Sequence, residues 1–93
     1  MPGQVRLHAF IYGYVQGVNF RWYTRREASA LGLVGYVRNR ADGSVEVVAE
    51  GERENVQQLL TWLYHGPSEA VVDRVDVTWQ SPTNEFSRFE VRY

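Results

Sequence analysis

One segment of the sequence combines two glycines and an arginine in an order that suits anion binding. It reads Gly-Tyr-Val-Gln-Gly-Val-Asn-Phe-Arg and runs from Gly13 to Arg21. Gly13 and Gly17 let the backbone curl so that successive N–H groups point at a ligand, and a helix that begins after the loop adds partial positive charge. The Arg21 guanidinium is planar and always charged, and it matches two oxygens of a phosphate. The segment therefore predicts a site for a phosphate-like anion.

The same segment also has a purely structural interpretation, in which Gly13 and Gly17 only shape a turn and Arg21 is a solvated surface residue. The spacing matches neither the lysine-bearing phosphate loop of nucleotidases nor the dinucleotide-binding fingerprint. However, Arg21 would lie in the first turn of a helix, where the macrodipole disfavours a cation and a bound anion would relieve the conflict. The loop by itself leaves both interpretations open.

Asn39 is a second residue with a potential chemical role, and it ends a predicted strand just before an Asp42-Gly43 turn. As an isolated residue it is interpreted as a turn residue whose side chain bonds nearby backbone. A catalytic role would require its carboxamide to reach the loop that ends at Arg21. That distance depends on the twist of the sheet, so the sequence leaves it open.

The other reactive residue types give no competing centre. The chain has no cysteine, which excludes a disulfide framework, a thiolate nucleophile and a cysteine-ligated metal. His8 and His65 lack a third ligand at metal spacing, and Ser29 and Ser44 lack the context of a nucleophile elbow. We therefore assign none of these side chains to a metal site or to nucleophilic catalysis, and no motif for a cofactor stands among them.

Periodicity and turn signals predict the elements that flank the loop. Apolar side chains alternate from Val5 to Tyr12, as in a strand that is packed on one side, and Gly13 breaks the run. Asn19 is a competent N-cap for a helix over 20–31, and Gly32 supplies its stop. The loop is thus expected between a first strand and a first helix.

The rest of the chain supplies a hairpin, a second helix and two further strands. The Asp42-Gly43 pair predicts a hairpin between strands over 33–39 and 44–50. A second helix is predicted by apolar residues at i, i+3, i+4 and i+7, which are Val56, Leu59, Leu60 and Leu63, and it stops at Gly66. Strands over 71–79 and 89–93 follow.

This order of elements predicts an α+β fold, a ferredoxin-like split βαβ sandwich. It is βαββαβ plus a short terminal strand, with two helices on one face of an antiparallel-rich sheet. The first and third strands would form the central pair, with the second strand beyond the third. Because this fold carries many functions, the site must decide between them.

Length, composition and charge limit the cellular context and the partners. The chain has 93 residues, 44% of them hydrophobic, which predicts a single domain over 1–93. Residues 1–4 lead into strand alternation rather than a signal region, and no apolar run is long enough to span a membrane, so we expect a cytoplasmic protein. The small size and the lack of an evident apolar surface stripe favour a monomer. Residues 1–40 hold six arginines against one acid, a net charge of +5, so this half should attract anions.

At these residues the sequence resembles the acylphosphatase family, small enzymes that hydrolyse the carboxyl-phosphate anhydride of acyl phosphates. The matching stretches are the Gly13–Arg21 segment, Leu-Gly-Leu-Val-Gly-Tyr-Val-Arg-Asn ending at Asn39, Asp-Gly-Ser-Val from Asp42, and Gly51. The likeness covers essentially the whole chain, and the joint occurrence of the first two motifs is highly specific. Two departures affect affinity at most: Arg40 replaces a small hydroxyl residue of several relatives, and Asn19 an often aromatic or variable one.

The resemblance implies the site and the chemistry. The family's substrate-binding arginine falls on Arg21, and its catalytic asparagine, which positions the attacking water, falls on Asn39. Its phosphate-cradling loop falls on Gln16, Gly17, Val18, Asn19 and Phe20. The implied substrate is a small acyl phosphate, with inorganic phosphate or sulfate as a product-like ligand, and neither a metal nor a covalent enzyme intermediate is implied.

Non-catalytic functions remain open on the same fold. These are a small-anion or nucleic-acid binding module, a ligand-sensing domain, and an acylphosphatase-like module of a larger carbamoyl-transfer enzyme. RNA recognition is disfavoured, because the predicted third strand carries Glu46 and Glu50, which would repel phosphates, and lacks a basic and aromatic signature. We therefore expect neither a nucleic-acid nor a membrane partner.

Two further hypotheses concern the surroundings of the loop. The carboxylate of Tyr93 would pair with Arg21 and lock it. Aromatic side chains beside the loop would line the acyl side of a pocket, although packing is the expected role for each of Tyr12, Tyr14, Trp22 and Tyr23.

Overall fold

The structure is a computed structural model that describes residues 3–93. Met1 and Pro2, the first half of the start that we interpreted as free of a signal region, lie outside the described residues. The elements are β1 (Gln4–Tyr14), α1 (Phe20–Ala30), β2 (Val34–Asn39), β3 (Val45–Glu52), α2 (Arg53–Leu63), β4 (Val71–Gln80) and β5 (Phe89–Arg92). The predicted order of elements is confirmed.

Five strands form one mixed sheet in the order β4-β1-β3-β2-β5. The pairs of β1 with β3, β1 with β4 and β2 with β3 are antiparallel, whereas β5 runs parallel to β2 at the edge. The Asp42-Gly43 turn closes the predicted hairpin, in which Asn39 lies opposite Val45. The central pair of β1 and β3, and the ferredoxin-like α+β fold, are as predicted.

The core lies between the sheet and the two helices. Alternating residues of β1 and β3 are completely buried and paired in register, Leu7 with Ala49, Ala9 with Val47 and Ile11 with Val45. The helices contribute their buried stripes, Phe20, Thr24 and Ala28 from α1 and Val56, Leu59 and Leu63 from α2. Each fully buried Leu, Ile or Phe side chain stabilises the fold by about 1.5–3 kcal/mol. Because such cores are closely packed, the sheet and helices that flank the loop hold it in a fixed position.

Gly13 does not end β1, contrary to the prediction. The strand continues to Tyr14, with a register shift against β4 between Tyr12 and Gly13. Gly13 has a φ of 132°, and a Cβ there would collide with the carbonyl oxygen of Val71. The glycine therefore permits a close strand contact in an irregular ladder, and the loop proper begins at Val15.

The N-cap prediction for Asn19 was right in position and wrong in mechanism. Asn19 precedes α1, but its φ of 62° is left-handed and its side chain makes no capping hydrogen bond. A capping side chain requires extended backbone at this position, whereas Asn is among the few residues that tolerate the left-handed region. At the other end, α1 stops at Ala30 rather than Leu31, and Gly32 takes the left-handed φ of 72° expected of a stop.

Within residues 3–93, both helices are eleven residues long, and neither is long and apolar enough to cross a membrane.

Candidate active site

The loop between β1 and α1 is anchored by three buried side chains. Val15, Val18 and Phe20 are all at most 4% exposed and belong to the hydrophobic core. Gly17 and Asn19 between them are exposed and have left-handed φ values of 77° and 62°. A Cβ on Gly17 would meet nothing within 4 Å, so glycine here serves the backbone conformation rather than packing. The curl expected from the sequence is therefore present and held at a fixed place.

The N–H groups of this curl are available to a ligand. Within residues 3–93, no acceptor receives a hydrogen bond from the N–H of Gln16, Gly17, Val18 or Asn19. The first intrahelical bond of α1 runs from the N–H of Tyr23 to the carbonyl of Asn19, so the earlier first-turn amides have no helical acceptor. Since the Asn19 side chain does not cap them either, the helix N-terminus presents unsatisfied donors beside the loop.

Arg21 lies in the first turn of α1, which contains no acidic residue. None of the ion pairs formed among residues 3–93 includes Arg21. Its guanidinium carbon lies 4.6 Å from the centroid of the Tyr93 ring, which supports the side chain by a cation–π contact. The cation is thus positioned by an aromatic face and keeps its hydrogen-bond donors for a ligand.

Arg21 and Asn39 line the same cavity, which has a volume of about 350 Å³. Asn39 reaches it from the end of β2, the next strand but one from β1 in the sheet. Its carboxamide takes part in no hydrogen bond within the described part of the chain, so the turn interpretation of this side chain is not realised. The two side chains therefore face one cavity, which answers the question of proximity that the sequence left open.

Three of the five predicted loop residues line the cavity, and the other two hold the loop in place. Gly17, Asn19 and Phe20 line the cavity, whereas Gln16 and Val18 do not. Val18 is a core residue. The Gln16 carboxamide donates from Nε2 to the carbonyl oxygens of Arg40 at 2.8 Å and Ser44 at 2.9 Å. Gln16 therefore ties the loop to the turn that follows Asn39.

The cavity includes residues that the sequence analysis did not assign to it. Arg25 lines it, and so do Val91 and Tyr93 at the end of the chain. Arg25 follows Arg21 by four residues, so helical spacing alone would have placed it on the same face of the predicted helix. The position of Val91 and Tyr93 results from the parallel pairing of β5 with β2, for which local sequence carries no signal.

The Tyr93 carboxylate and most of the aromatic side chains beside the loop do not have the contacts that the sequence suggested. No ion pair joins the Tyr93 carboxylate to Arg21 within residues 3–93; the ring, not the carboxylate, is the contact. Trp22 lines the cavity, but the other three aromatics do not, and Tyr12 instead packs under Arg74. Arg40 stacks on Phe10 with its guanidinium carbon 4.6 Å from the ring centroid and is not part of the cavity wall.

The two buried acids of β3 lie away from the cavity and are paired with neighbouring donors. Glu50 accepts a hydrogen bond from Arg6 at 2.8 Å, and Glu46 accepts hydrogen bonds from His8 and Arg38. Burial tends to raise the pKa of Glu46, but these hydrogen bonds outweigh it and hold the pKa below the usual range. Glu50 likewise has a lowered pKa, because hydrogen bonds from Thr83, Arg6 and Asn84 outweigh the effect of its burial.

In residues 3–93, no three His, Cys, Asp or Glu side chains lie close enough together to hold a metal ion.

The cavity as a whole is suited to a small oxyanion. Its wall holds two arginines, the two asparagines Asn19 and Asn39, and loop amides, and no acidic side chain. No histidine, aspartate or glutamate side chain lines it to act as a general acid or base. Such a site can bind a tetrahedral anion and orient a water molecule, which suffices for a substrate that already carries a good leaving group.

Comparison with known proteins agrees with this chemistry. A family model described as Acylphosphatase matches residues 7–91. A protein named Acylphosphatase from Roseiflexus sp. (strain RS-1) is 50% identical over 91 residues, which cover 98% of each chain.

Solved structures give the same result. The crystal structure of acylphosphatase from Bacillus subtilis superposes with a TM-score of 0.92 at 32% identity, covering 96% of this chain and 99% of that one. An acylphosphatase from Coxiella burnetii has a TM-score of 0.87 at 40% identity, covering 97% and 94% of the two chains.

Proposed function

The chain belongs to the acylphosphatase family, enzymes that hydrolyse the carboxyl-phosphate bond of acyl phosphates, and we propose that Arg21 and Asn39 carry the reaction here. The observation that supports this assignment most is that both side chains line one cavity beside loop amides that no group of residues 3–93 uses.

The phosphoryl group is bound by Arg21 and the phosphate loop, which we define as residues 16–20. The planar guanidinium takes two phosphoryl oxygens, and the free N–H groups of the loop and of the first turn of α1 take the third. These donors are in place before the substrate arrives, so they stabilise the charge that develops in the transition state with little reorganisation. In this mechanism, Gln16 and Val18 contribute main-chain groups only.

Asn39 orients the attacking water. Its carboxamide both donates and accepts hydrogen bonds, so it can hold a water molecule on the side of phosphorus opposite the carboxylate leaving group. The water oxygen bonds to phosphorus, the bond from phosphorus to the acyl oxygen breaks, and its electron pair leaves with the carboxylate. A substrate oxygen takes the proton of the water. The products are the carboxylate and inorganic phosphate, and neither a metal nor a covalent enzyme intermediate takes part.

The substrate is a small acyl phosphate, and inorganic phosphate or sulfate is the product-like ligand of the same cavity. We further propose that residues 1–93 act as one domain and as a cytoplasmic monomer. In support, the family model spans residues 7–91, and the exposed large hydrophobics belong to several different elements.

The proposal is tested with Arg21→Ala and Asn39→Ala. Each variant removes one preorganised group, so we expect kcat/KM for benzoyl phosphate to fall about a hundredfold to a thousandfold. Arg21→Ala also weakens competitive inhibition by inorganic phosphate, whereas Asn39→Ala leaves that inhibition nearly unchanged because it acts on water. Both variants retain the circular-dichroism spectrum of the unaltered protein, since neither side chain forms a hydrogen bond or ion pair within residues 3–93.

Matched controls separate this loss from general effects. Arg53→Ala removes an exposed arginine at the start of α2, away from the cavity, and should retain activity. The unaltered protein should hydrolyse benzoyl phosphate much faster than p-nitrophenyl phosphate and should be insensitive to a chelator. Near-normal turnover by Arg21→Ala or Asn39→Ala would remove that residue from the mechanism, and inhibition by a chelator would contradict the metal-free reaction.

A further inference from the structure

Arg25 is a second cation in the wall of the cavity. It lies one helical turn after Arg21, and side chains four residues apart share one face of an α-helix. The mechanism proposed above uses Arg21 for the phosphoryl group and leaves Arg25 without an assigned contact. The side chains that line the cavity therefore include two cations and no acid.

Arg25 also differs from its neighbours in lacking a partner within residues 3–93. Arg21 is supported by the Tyr93 ring, and the guanidinium carbon of Arg26 lies 5.7 Å from the centroid of a Trp22 ring. Arg25 is exposed, joins no ion pair and contacts no aromatic face in the described part of the chain. Its five N–H donors are therefore free for a bound molecule.

A second depression begins at Arg25. This outer groove has a volume of about 420 Å³, is lined also by Arg88, Phe89 and Glu90, and shares Arg25, Val91 and Tyr93 with the cavity. A substrate whose phosphoryl group lies beside Arg21 has room for its acyl part in this groove, and the acyl part then passes Arg25. Glu90, the one acidic side chain in the groove wall, is paired with Arg88 at 3.8 Å and Arg92 at 3.3 Å, which offsets its repulsion of an anion.

We propose that Arg25 is a specificity-determining residue that favours acyl phosphates whose acyl group carries a second anionic group, a carboxylate or a phosphate. The guanidinium fork matches either group in a bidentate contact. This inference rests on the proposed function, because it requires the phosphoryl group to occupy the cavity beside Arg21.

The test compares two substrates that differ in one charge, 4-carboxybenzoyl phosphate and 4-methylbenzoyl phosphate. The rigid ring prevents the carboxylate from attacking its own acyl group. For each protein, the ratio of kcat/KM for the charged substrate to that for the neutral one is measured. The intrinsic reactivity of each substrate is the same for every variant, so a change in this ratio isolates the altered side chain.

Arg25→Gln should lower the ratio roughly threefold to tenfold, as expected for the loss of a partly exposed charge-assisted contact. Arg26→Gln is the matched control, because Arg26 is the next residue of the same helix and does not line the cavity. This substitution should change the ratio by less than about 1.5-fold, since solvent screens a charge that lies outside the cavity. Raising the salt concentration should lower the ratio of the unaltered protein and leave that of Arg25→Gln nearly constant.

Three outcomes would overturn the inference. An unchanged ratio in Arg25→Gln, with benzoyl phosphate still hydrolysed by the unaltered protein, would reject the role of Arg25 and leave the proposed function intact. An equal fall of the ratio in Arg26→Gln would show general electrostatics rather than a local contact. Absence of benzoyl phosphate hydrolysis by the unaltered protein would reject the proposed function and this inference with it.

Discussion

Arg21 occupies a position that is unfavourable for the isolated protein. Six of the ten arginines form ion pairs with acids of residues 3–93, and Arg21 is not among them. It lies in the first turn of α1, where the macrodipole is positive and no acid compensates. A bound phosphoryl dianion would compensate both charges. Such a locally unfavourable arrangement is common where a site is organised for a ligand.

The geometry of the guanidinium, and not only its charge, is expected to matter. Arg21→Lys keeps a cation beside the loop but replaces a planar fork by a point charge, so kcat/KM for benzoyl phosphate should stay about tenfold to a hundredfold below that of the unaltered protein. The same assay series as for Arg21→Ala measures this. Full activity of Arg21→Lys would mean that a single positive charge is sufficient.

The residues of the site were predicted unevenly from the sequence. Arg21 and Asn39 followed from the family resemblance, but their proximity depended on the twist and strand order of the sheet. Arg25 was detectable from its helical spacing and was not assigned. Tyr93 was considered for its carboxylate, whereas the ring makes the contact, because the path of β5 along β2 is set by tertiary packing.

At the scale of elements, the phosphate loop and the β2–β3 turn are two separate pieces that must stay in register. Gln16 joins them through two hydrogen bonds to the carbonyls of Arg40 and Ser44. Both carbonyls already accept main-chain hydrogen bonds within the turn, from Gly43 and Arg40 respectively. The Gln16 bonds therefore link the loop to the turn and are not needed to satisfy either acceptor.

Gln16→Met tests this link, because methionine has a similar shape and no donor. Losing two hydrogen bonds should lower the stability by about 1–3 kcal/mol. Phosphate remains bound by a loop that Val15, Val18 and Phe20 still anchor, while the approach of Asn39 is loosened. We therefore expect kcat to fall about tenfold, with the inhibition constant of inorganic phosphate changing less than about threefold.

Gln57→Met, an exposed substitution on α2, is the matched control and should alter neither quantity. Equal losses of kcat and phosphate affinity in Gln16→Met would contradict a linking role and indicate a disordered loop instead.

The elements themselves were largely predictable, and the exceptions have physical causes. Periodicity and the Asp42-Gly43 turn sufficed for the strands and helices, since those signals are local. Asn19 was misjudged because the same residue type serves as a cap in extended backbone and as a left-handed residue in a curl, and only the loop conformation distinguishes the two. Leaving the cap open is what frees the first-turn amides for a ligand.

At the scale of the whole molecule, the face of the sheet opposite the core carries a buried carboxylate that neighbouring side chains hold by hydrogen bonds. Glu46 is 5% exposed and accepts hydrogen bonds from His8 at 2.6 Å and Tyr36 at 3.3 Å, as well as from Arg38. Burial works against ionisation, but these hydrogen bonds prevail and lower the pKa of Glu46 from the ordinary value of 4.5. A lowered pKa means that the folded state favours the carboxylate, so its stabilising contribution is complete above pH 4.5 and is lost as the pH falls below it.

Glu46→Gln should therefore lower the stability at pH 7 by about 1–3 kcal/mol and flatten the dependence of stability on pH below 4.5. Thermal unfolding of both proteins between pH 7 and pH 3 measures the difference, which should shrink towards acid pH. Glu69→Gln, at an exposed glutamate outside the ion pairs of residues 3–93, should follow the unaltered protein throughout. A difference that stays constant from pH 7 to pH 3 would contradict the contribution of the Glu46 charge.

The proposed mechanism depends on one anion site, and a crystal structure determined in the presence of inorganic phosphate tests that site most directly. We expect one phosphate in the cavity, with two oxygens on the Arg21 guanidinium, a third on the N–H groups of the phosphate loop, and a water molecule between phosphate and the Asn39 carboxamide. A cavity filled only by water, with Arg21 turned to solvent and phosphate bound elsewhere, would contradict it.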